Sequence, residues 1–317
     1  MKKLDILSLG ETMIELYSEE GSLSNSSSFK KSYAGDTMNI ISMASKLGLK
    51  CGYITKIGND PFKDYLINQW KDNNIDLSQI ITVEGYNAIH FTVLQEDNNR
   101  QFVYYRKNSA ASQIDENMID VNYLSSTKLF HTSSLTQSIS ESSRLAVQKF
   151  IKTAKDLNLI TSFDTNFRSN MWSAIDAKFA VDEVIKHIDI LAPSYPEEVN
   201  NVFGLETPVD MIKYGLDKGS KIVIVKCGEL GAYVGTKDKI IRSDTYTPKG
   251  VLDTTGAGDA FMGGFLYSFL SDHDLESNLR YGIVSAGLKV SGRGGIQSQP
   301  DKEEVQMYID IPKIVYI

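Results

Sequence analysis

The sequence predicts an α/β fold: a mostly parallel central sheet covered on both faces by helices, with a small β-sheet lid beside it. Three observations predict it. From residue 128 onward, short apolar runs rich in Ile and Val alternate with helix-period segments, the pattern of repeated β-α-β units. Residues 87–95 and 100–106 alternate apolar and polar positions on either side of Glu96-Asp97-Asn98-Asn99, which signals an antiparallel hairpin outside that alternation. No internal repeat, low-complexity tract or linker divides the 317 residues. One domain spanning 1–317 is therefore expected, its lid drawn from segments near 12–17, 29–35 and 87–106.

Along the chain, residues 6–10 read as a buried strand ending in Gly, 12–17 as β-like and 21–28 as a polar loop. Gly35-Asp36 opens a helix that Gly48 stops, 51–57 is a strand and 62–72 a helix, and 75–83 reads as a short connection. After the hairpin come strands at 128–132, 160–164, 188–192 and 221–226, alternating with helices at 140–157, 176–187, 196–203 and 208–217. A second hairpin joins 231–235 to 239–243, residues 244–249 are β-like, and helices at 260–270 and 275–290 follow.

Composition excludes several function classes. A net charge of −7 with no basic run argues against nucleic-acid binding. No apolar run approaches the roughly 20 residues of a membrane helix. The opening Met1-Lys2-Lys3-Leu4-Asp5 lacks a signal-peptide core, and two cysteines, Cys51 and Cys227, make no disulfide framework. A cytoplasmic protein is expected. The four histidines have no metal-ligand spacing, so any metal is expected to arrive with a substrate.

The chemistry concentrates in Leu252-Asp253-Thr254-Thr255-Gly256-Ala257-Gly258-Asp259-Ala260-Phe261. A Thr- and Gly-rich loop here runs directly into an apolar helix. The first N–H groups of a helix lack internal partners and the helix dipole adds positive potential, so Gly256, Ala257 and Gly258 form a backbone anion cradle. Asp259 sets a carboxylate at its edge, placed to take a hydroxyl proton during phosphoryl transfer. A second Gly-to-helix junction carries Asp36 and Asn39 one turn apart, where both would project into the same space, with plain helix capping by Asp36 as the alternative. In open parallel sheets ligands sit beyond the carboxyl ends of strands. Polar clusters fall there: 164–172, with Asn166 and Arg168; 194–197; and Lys226 with Gly228 and Gly231.

D-T-T-G-A-G-D-A-F resembles the C-terminal signature of the ribokinase-like (PfkB) carbohydrate-kinase family, and the resemblance extends along the chain in family order: GD-x-x-N at Gly35, Asp36 and Asn39, a lid hairpin, D-x-N-x-R at 164–168, x-x-x-E at 194–197, G-x-x-G at 228–231 and G-A-G-D at 256–259. It implies a three-layer ribokinase-like fold and an ATP- and Mg²⁺-dependent sugar kinase. Asp259 is then the catalytic base, Gly256, Ala257 and Gly258 the anion hole, and Gly35, Asp36 and Asn39 the sugar-hydroxyl site. Asn166, Arg168, Ser194, Lys226, Gly228, Gly231, Gly256 and Gly258 would contact nucleotide, and Glu197 would organise waters around the metal. Ser194 departs from the family's Asn. The strings Glu11-Thr12-Met13-Ile14-Glu15-Leu16, Tyr104-Tyr105-Arg106-Lys107-Asn108-Ser109-Ala110 and 164–172 are similar to the family's 2-keto-3-deoxygluconate kinases. That likeness implies that Arg106 with Tyr104 holds a sugar-acid carboxylate and that Arg168 contacts substrate or phosphate; His90, on the partner lid strand, is expected to face the sugar. Guanidinium forks match carboxylate geometry. A kinase of a neutral sugar such as fructose, or a catalytically silent sugar- or nucleotide-binding regulator, stands as the alternative. The exposed lid hairpin is the expected seam of a homo-oligomer.

Overall fold

The computed structural model describes residues 3–18, 20–94 and 100–317. Its strands, in chain order, are β1 (Leu4–Leu9), β2 (Met13–Ser18), β3 (Lys30–Ala34), β4 (Cys51–Gly58), β5 (Ile75–Val83), β6 (Ile89–Leu94), β7 (Arg100–Tyr105), β8 (Thr127–Ser133), β9 (Ile160–Asp164), β10 (Ile190–Ala192), β11 (Ile222–Lys226), β12 (Ala232–Gly235), β13 (Ile240–Ser243) and β14 (Val315–Tyr316). The main sheet runs β14-β13-β12-β11-β10-β9-β8-β1-β4-β5. Every pairing from β11 to β5 is parallel, whereas β11 to β14 pair antiparallel.

Neighbouring residues on the parallel strands face opposite sides, and both sides are apolar. Leu7, Phe130, Leu191 and Val223 pack into one core with the helices Glu141–Asp156, Ala174–Val184 and Pro208–Asp217. Their neighbours Ile6, Leu129, Ile190 and Ile224 pack into the other, against Asp36–Lys46, Lys63–Asp72, Ala257–Leu270 and Leu275–Lys289. This is why the strands read as near-continuous apolar runs, and the result is three layers. Each fully buried Phe or Leu contributes roughly 1.5–3 kcal/mol.

Three local expectations are corrected. Residues 75–83 are not a connection but the edge strand β5, paired in parallel with β4 through a register shift. Its half-exposed pattern, with Asp76, Ser78 and Gln79, hides the strand from an apolar-run criterion. Residues 244–249 form no strand, so the anion loop follows irregular chain instead of a strand end. The apolar helix begins at Ala257, three residues earlier than its hydrophobicity suggests, because Gly and Asp occupy the first turn. The hairpin turn at 96–99 lies outside the described residues.

A second sheet has the order β3-β2-β6-β7, with β2 and β6 parallel and both outer pairings antiparallel. The chain passes between the sheets at residues 10–12, 35, 84–88 and 106–109, and these crossings are tied together. Glu11 accepts hydrogen bonds from Arg106 and from Ser109 Oγ (3.0 Å for the latter). A Cβ on Gly35 would lie 2.1 Å from the Glu11 carbonyl, so the first two crossings touch backbone to backbone. The Ala110 N–H donates to the Tyr86 carbonyl (2.9 Å), and Asn87 Nδ2 to that of Gly58 (3.2 Å).

Helix Ala257–Leu270 is clasped between two others through consecutive glycines. A Cβ on Gly263 would meet Met43 Cβ at 2.5 Å and the Ile40 carbonyl at 2.6 Å, on helix Asp36–Lys46. A Cβ on Gly264 would lie 2.5 Å from the Tyr281 carbonyl, on helix Leu275–Lys289. Gly263→Ala should therefore destabilise the fold by about 1–3 kcal/mol, the scale of overpacking against backbone. Gly258→Ala, whose new Cβ would meet only Lys226 side-chain atoms at 3.6 Å or more, should cost much less. Denaturant unfolding of the two variants makes the comparison; equal midpoints would refute the close-packing account.

Candidate active site

A cavity of about 840 Å³ opens at the carboxyl ends of β9, β10 and β11, lined by Asn166, Arg168, Ser194 and Lys226, by Tyr104 and Phe102 of the second sheet, and by 254–259. The structure thus brings nine of the sequence-derived site residues to one wall: Tyr104, Asn166, Arg168, Ser194, Lys226, Gly256, Ala257, Gly258 and Asp259. Val251 and Leu252, exposed apolar residues, stand at the same cavity.

The loop reaches its helix through Gly256, which has φ 73° and caps it in the left-handed region that favours glycine. The Ala257 N–H turns back to the Thr254 carbonyl (3.1 Å), so that donor is already used. Those of Gly256 and Gly258 find no acceptor among the described residues. Any anion bound here would therefore meet the N–H groups of Gly256 and Gly258 before that of Ala257. Gly258 is helical and needs no special backbone angle; its missing side chain leaves space beside Lys226.

Asp259 lies in the first turn of the same helix. Its Oδ2 accepts a hydrogen bond from Asn39 Nδ2 at 2.7 Å, across the Gly263 contact. Burial, and then the negative charges of Asp36 and Asp164, push its carboxyl up to about 7, while the Asn39 bond opposes the rise. Asp36 is itself buried, and its carboxyl is raised by burial with Asp164 adding to it. It accepts from Asn166 Nδ2 at 3.3 Å. Asp164, fully buried at the end of β9, is paired with Lys226 Nζ at 2.5 Å. The floor thus holds three carboxylates and one ammonium, a local excess of negative charge that favours a proton on Asp259.

Several residues take other places than the sequence suggested. Glu197 is exposed and does not line the cavity; the buried carboxylate of this loop is Glu198, one residue on. Glu198 accepts from Thr165 Oγ1, from the Phe167 N–H (2.6 Å) and from the Ser194 N–H (2.7 Å), which locks the 164–168 and 194 loops together. Arg106 is buried against Glu11 behind the cavity wall, so its guanidinium already holds a carboxylate. His90 is likewise buried, with Nε2 3.3 Å from Glu15 Oε1 and its ring beside Tyr104. Arg168 is exposed, lines the cavity, and donates to the carbonyl of Phe167 (3.0 Å). Gly228 and Gly231 have positive φ and do not line the cavity. A Cβ on Gly231 would lie 2.0 Å from the Ser243 carbonyl, a packing reason for glycine there. Gly35, Asp36 and Asn39 stand behind Asp259 and Asn166.

Sequence reasoning did not single out Glu11, Glu198 or Asp164 as partners. Their signal is burial, which no spacing rule shows. Among the described residues no group of three His, Cys, Asp or Glu side chains converges as a metal cage.

Residues 3–302 match the pfkB family carbohydrate kinase. The ATP-dependent 6-phosphofructokinase of Thermoanaerobacterium thermosaccharolyticum is 28% identical over 99% of this chain and 96% of its own length. The 5-dehydro-2-deoxygluconokinase of Clostridium perfringens is 29% identical (99% and 95%), and the 2-dehydro-3-deoxygluconokinase of Bacillus subtilis 26% (99% and 98%). Among solved structures, a putative ribokinase II from E. coli, in complex with ATP and Mg²⁺, superposes with a TM-score of 0.87 at 26% identity, covering 96% of this chain and 99% of that one. The 2-dehydro-3-deoxygluconokinase of Thermotoga maritima shares the fold, with a TM-score of 0.89 at 20% identity and coverage of 96% and 99%. With its three layers, its G-A-G-D helix start and its match over nearly the whole length, the chain belongs to the pfkB family of carbohydrate kinases and is an ATP-dependent sugar kinase.

Proposed function

We propose that this kinase phosphorylates the primary hydroxyl of a keto-deoxy sugar acid, with 2-keto-3-deoxygluconate the first candidate and its 6-phosphate the product. The observation that carries the chemistry is Asp259, half-buried beside the Gly256 and Gly258 N–H groups and held by Asn39. The substrate hydroxyl would give its proton to the Asp259 carboxylate as its oxygen bonds to the γ-phosphorus of ATP. The bond from that phosphorus to the β–γ bridging oxygen breaks, and ADP leaves with those electrons. The Gly256 and Gly258 N–H groups and Lys226 would take up charge on the moving phosphoryl group. Val251 and Leu252 offer an apolar shelf for adenine. Bound Mg²⁺ would supply further charge neutralisation on the phosphates.

The acid reading is supported by relatives named for two keto-deoxygluconates and by Arg168 on the cavity wall. A second reading has an observation of its own: Arg106 is occupied by Glu11, which favours a neutral sugar. A coupled assay with 2-keto-3-deoxygluconate, 5-keto-2-deoxygluconate, fructose and fructose 6-phosphate decides between them. Highest kcat/KM on fructose would overturn the acid.

The second sheet would act as a lid, its Tyr104 and Phe102 face closing on the cavity and excluding water. Its other face carries Leu16, Phe91, Val103 and Tyr105, an apolar stripe suited to a second copy of this chain. Sedimentation equilibrium should then give a dimer, and a monomer at micromolar concentration would refute this seam. The composition fits work in the cytosol.

Asp259→Asn should lower kcat by two to four orders of magnitude, with ATP affinity largely kept. In the native protein Asp259 must be deprotonated to act as a base. With its carboxyl at about 7, kcat/KM should rise roughly tenfold per pH unit below 7 and level off above. Asp36→Asn removes a neighbouring negative charge, so that limb should move to lower pH. A limb unmoved by Asp36→Asn would rule out this electrostatic account.

Arg168→Ala should weaken an acidic substrate selectively. A charged hydrogen bond contributes about 1.5–3 kcal/mol, or about 10- to 150-fold in kcat/KM. Equal losses on acid and neutral sugars would assign Arg168 to the nucleotide.

A further inference from the structure

One fully buried cation has no place in the chemistry above. Lys289 is fully buried (0% exposed) at the last position of helix Leu275–Lys289. Its Nζ donates to the Asp253 carbonyl at 2.8 Å and lies 3.9 Å from Asp253 Oδ1. The carboxylate is gripped elsewhere too: Oδ1 accepts from the Thr255 N–H (2.7 Å) and Oδ2 from the Gly294 N–H (2.8 Å). The Asp253 N–H donates to the Val290 carbonyl (3.0 Å). The backbone and both carboxylate oxygens of this one residue are thus tied to 289–294 and to the start of the anion loop.

What this ties together is the site. Gly294 leads into Gly295, whose Cα would lie 3.1 Å from a Cβ on Gly256. A Cβ on Gly295 would in turn lie 3.1 Å from Asn39 Nδ2, the donor to Asp259. A lysine ammonium is costly to bury, and it is kept here by a carbonyl, a carboxylate and the negative end of its own helix.

We infer that Lys289 is a positioning residue for phosphoryl transfer: an internal cation that fixes Asp253, and through Asp253 the Thr255–Gly256 turn and the Gly294–Gly295 backbone, so that the anion cradle and Asp259 keep their mutual placement. The inference rests on the cradle reading. Its test separates the two, because an inactive wild-type protein would sink the cradle reading, whereas an active one with indifferent variants would sink only this.

Lys289→Met keeps the length and volume of the side chain and removes the charge. With native circular dichroism retained, kcat should fall about 10- to 100-fold, the effect of sub-ångström to ångström misplacement at a reacting centre. KM for the sugar should stay within about twofold, because the sugar-side residues sit on other elements. Since breaking one half of a buried pair can unfold a protein, the double variant Lys289→Met with Asp253→Asn removes both charges together. It should recover thermal stability relative to Lys289→Met but still lose at least tenfold in kcat. A folded Lys289→Met with kcat within twofold of wild type overturns the proposal. So does a double variant that regains full activity along with stability, or one that does not fold, since either makes Lys289 a stability residue only.

Discussion

The site depends on how closely helix Ala257–Leu270 approaches helix Asp36–Lys46. At Gly263 the two backbones meet with no room for a methyl group. That approach places Asn39 within 2.7 Å of Asp259, although 220 residues separate them in sequence. A carboxylate at the start of a helix is unremarkable alone. Here it is also desolvated and surrounded by other carboxylates, which raise its proton affinity to about 7 against the opposing pull of the Asn39 amide bond.

The same electrostatics explains the disposition of cations. Lys226 is set against the buried Asp164 on the floor of the cavity, and the buried pairs Arg106–Glu11 and Lys289–Asp253 lie around it. Buried pairs contribute little to stability compared with apolar packing, and breaking one leaves an uncompensated charge. Their value here is geometric. Each joins segments far apart in the chain: β9 with β11, the first crossing with the fourth, and the Thr/Gly loop with the end of helix Leu275–Lys289.

Much of this was legible in the sequence. The parallel sheet follows from apolar runs such as 221–226, and the anion loop from Gly256 and Gly258 before an apolar helix. Nine of the candidate residues meet at one cavity. Where the reading slipped, the reason is physical. Strand β5 is an edge strand and carries edge-strand polarity. Glu197 and Glu198 are adjacent and chemically identical, and only the tertiary fold decides which is buried. Arg106 reads as an available charge until Glu11, nearly a hundred residues away, is brought against it. Burial and long-range pairing are properties of the assembled structure and leave no periodic trace.

The second sheet draws its strands from four crossings of the chain, with β2 and β6 parallel at its centre. A hairpin on two strands could flap by bending its own stalk. A sheet stitched at four points, with the first crossing bonded to the fourth and packed on the second, cannot. The four crossings are therefore coupled: a shift at the first must be accommodated at the second and the fourth. If this sheet closes over the cavity, the movement would have to pass through residues 10–12, 35, 84–88 and 106–109 together, remote from the bond that is made and broken.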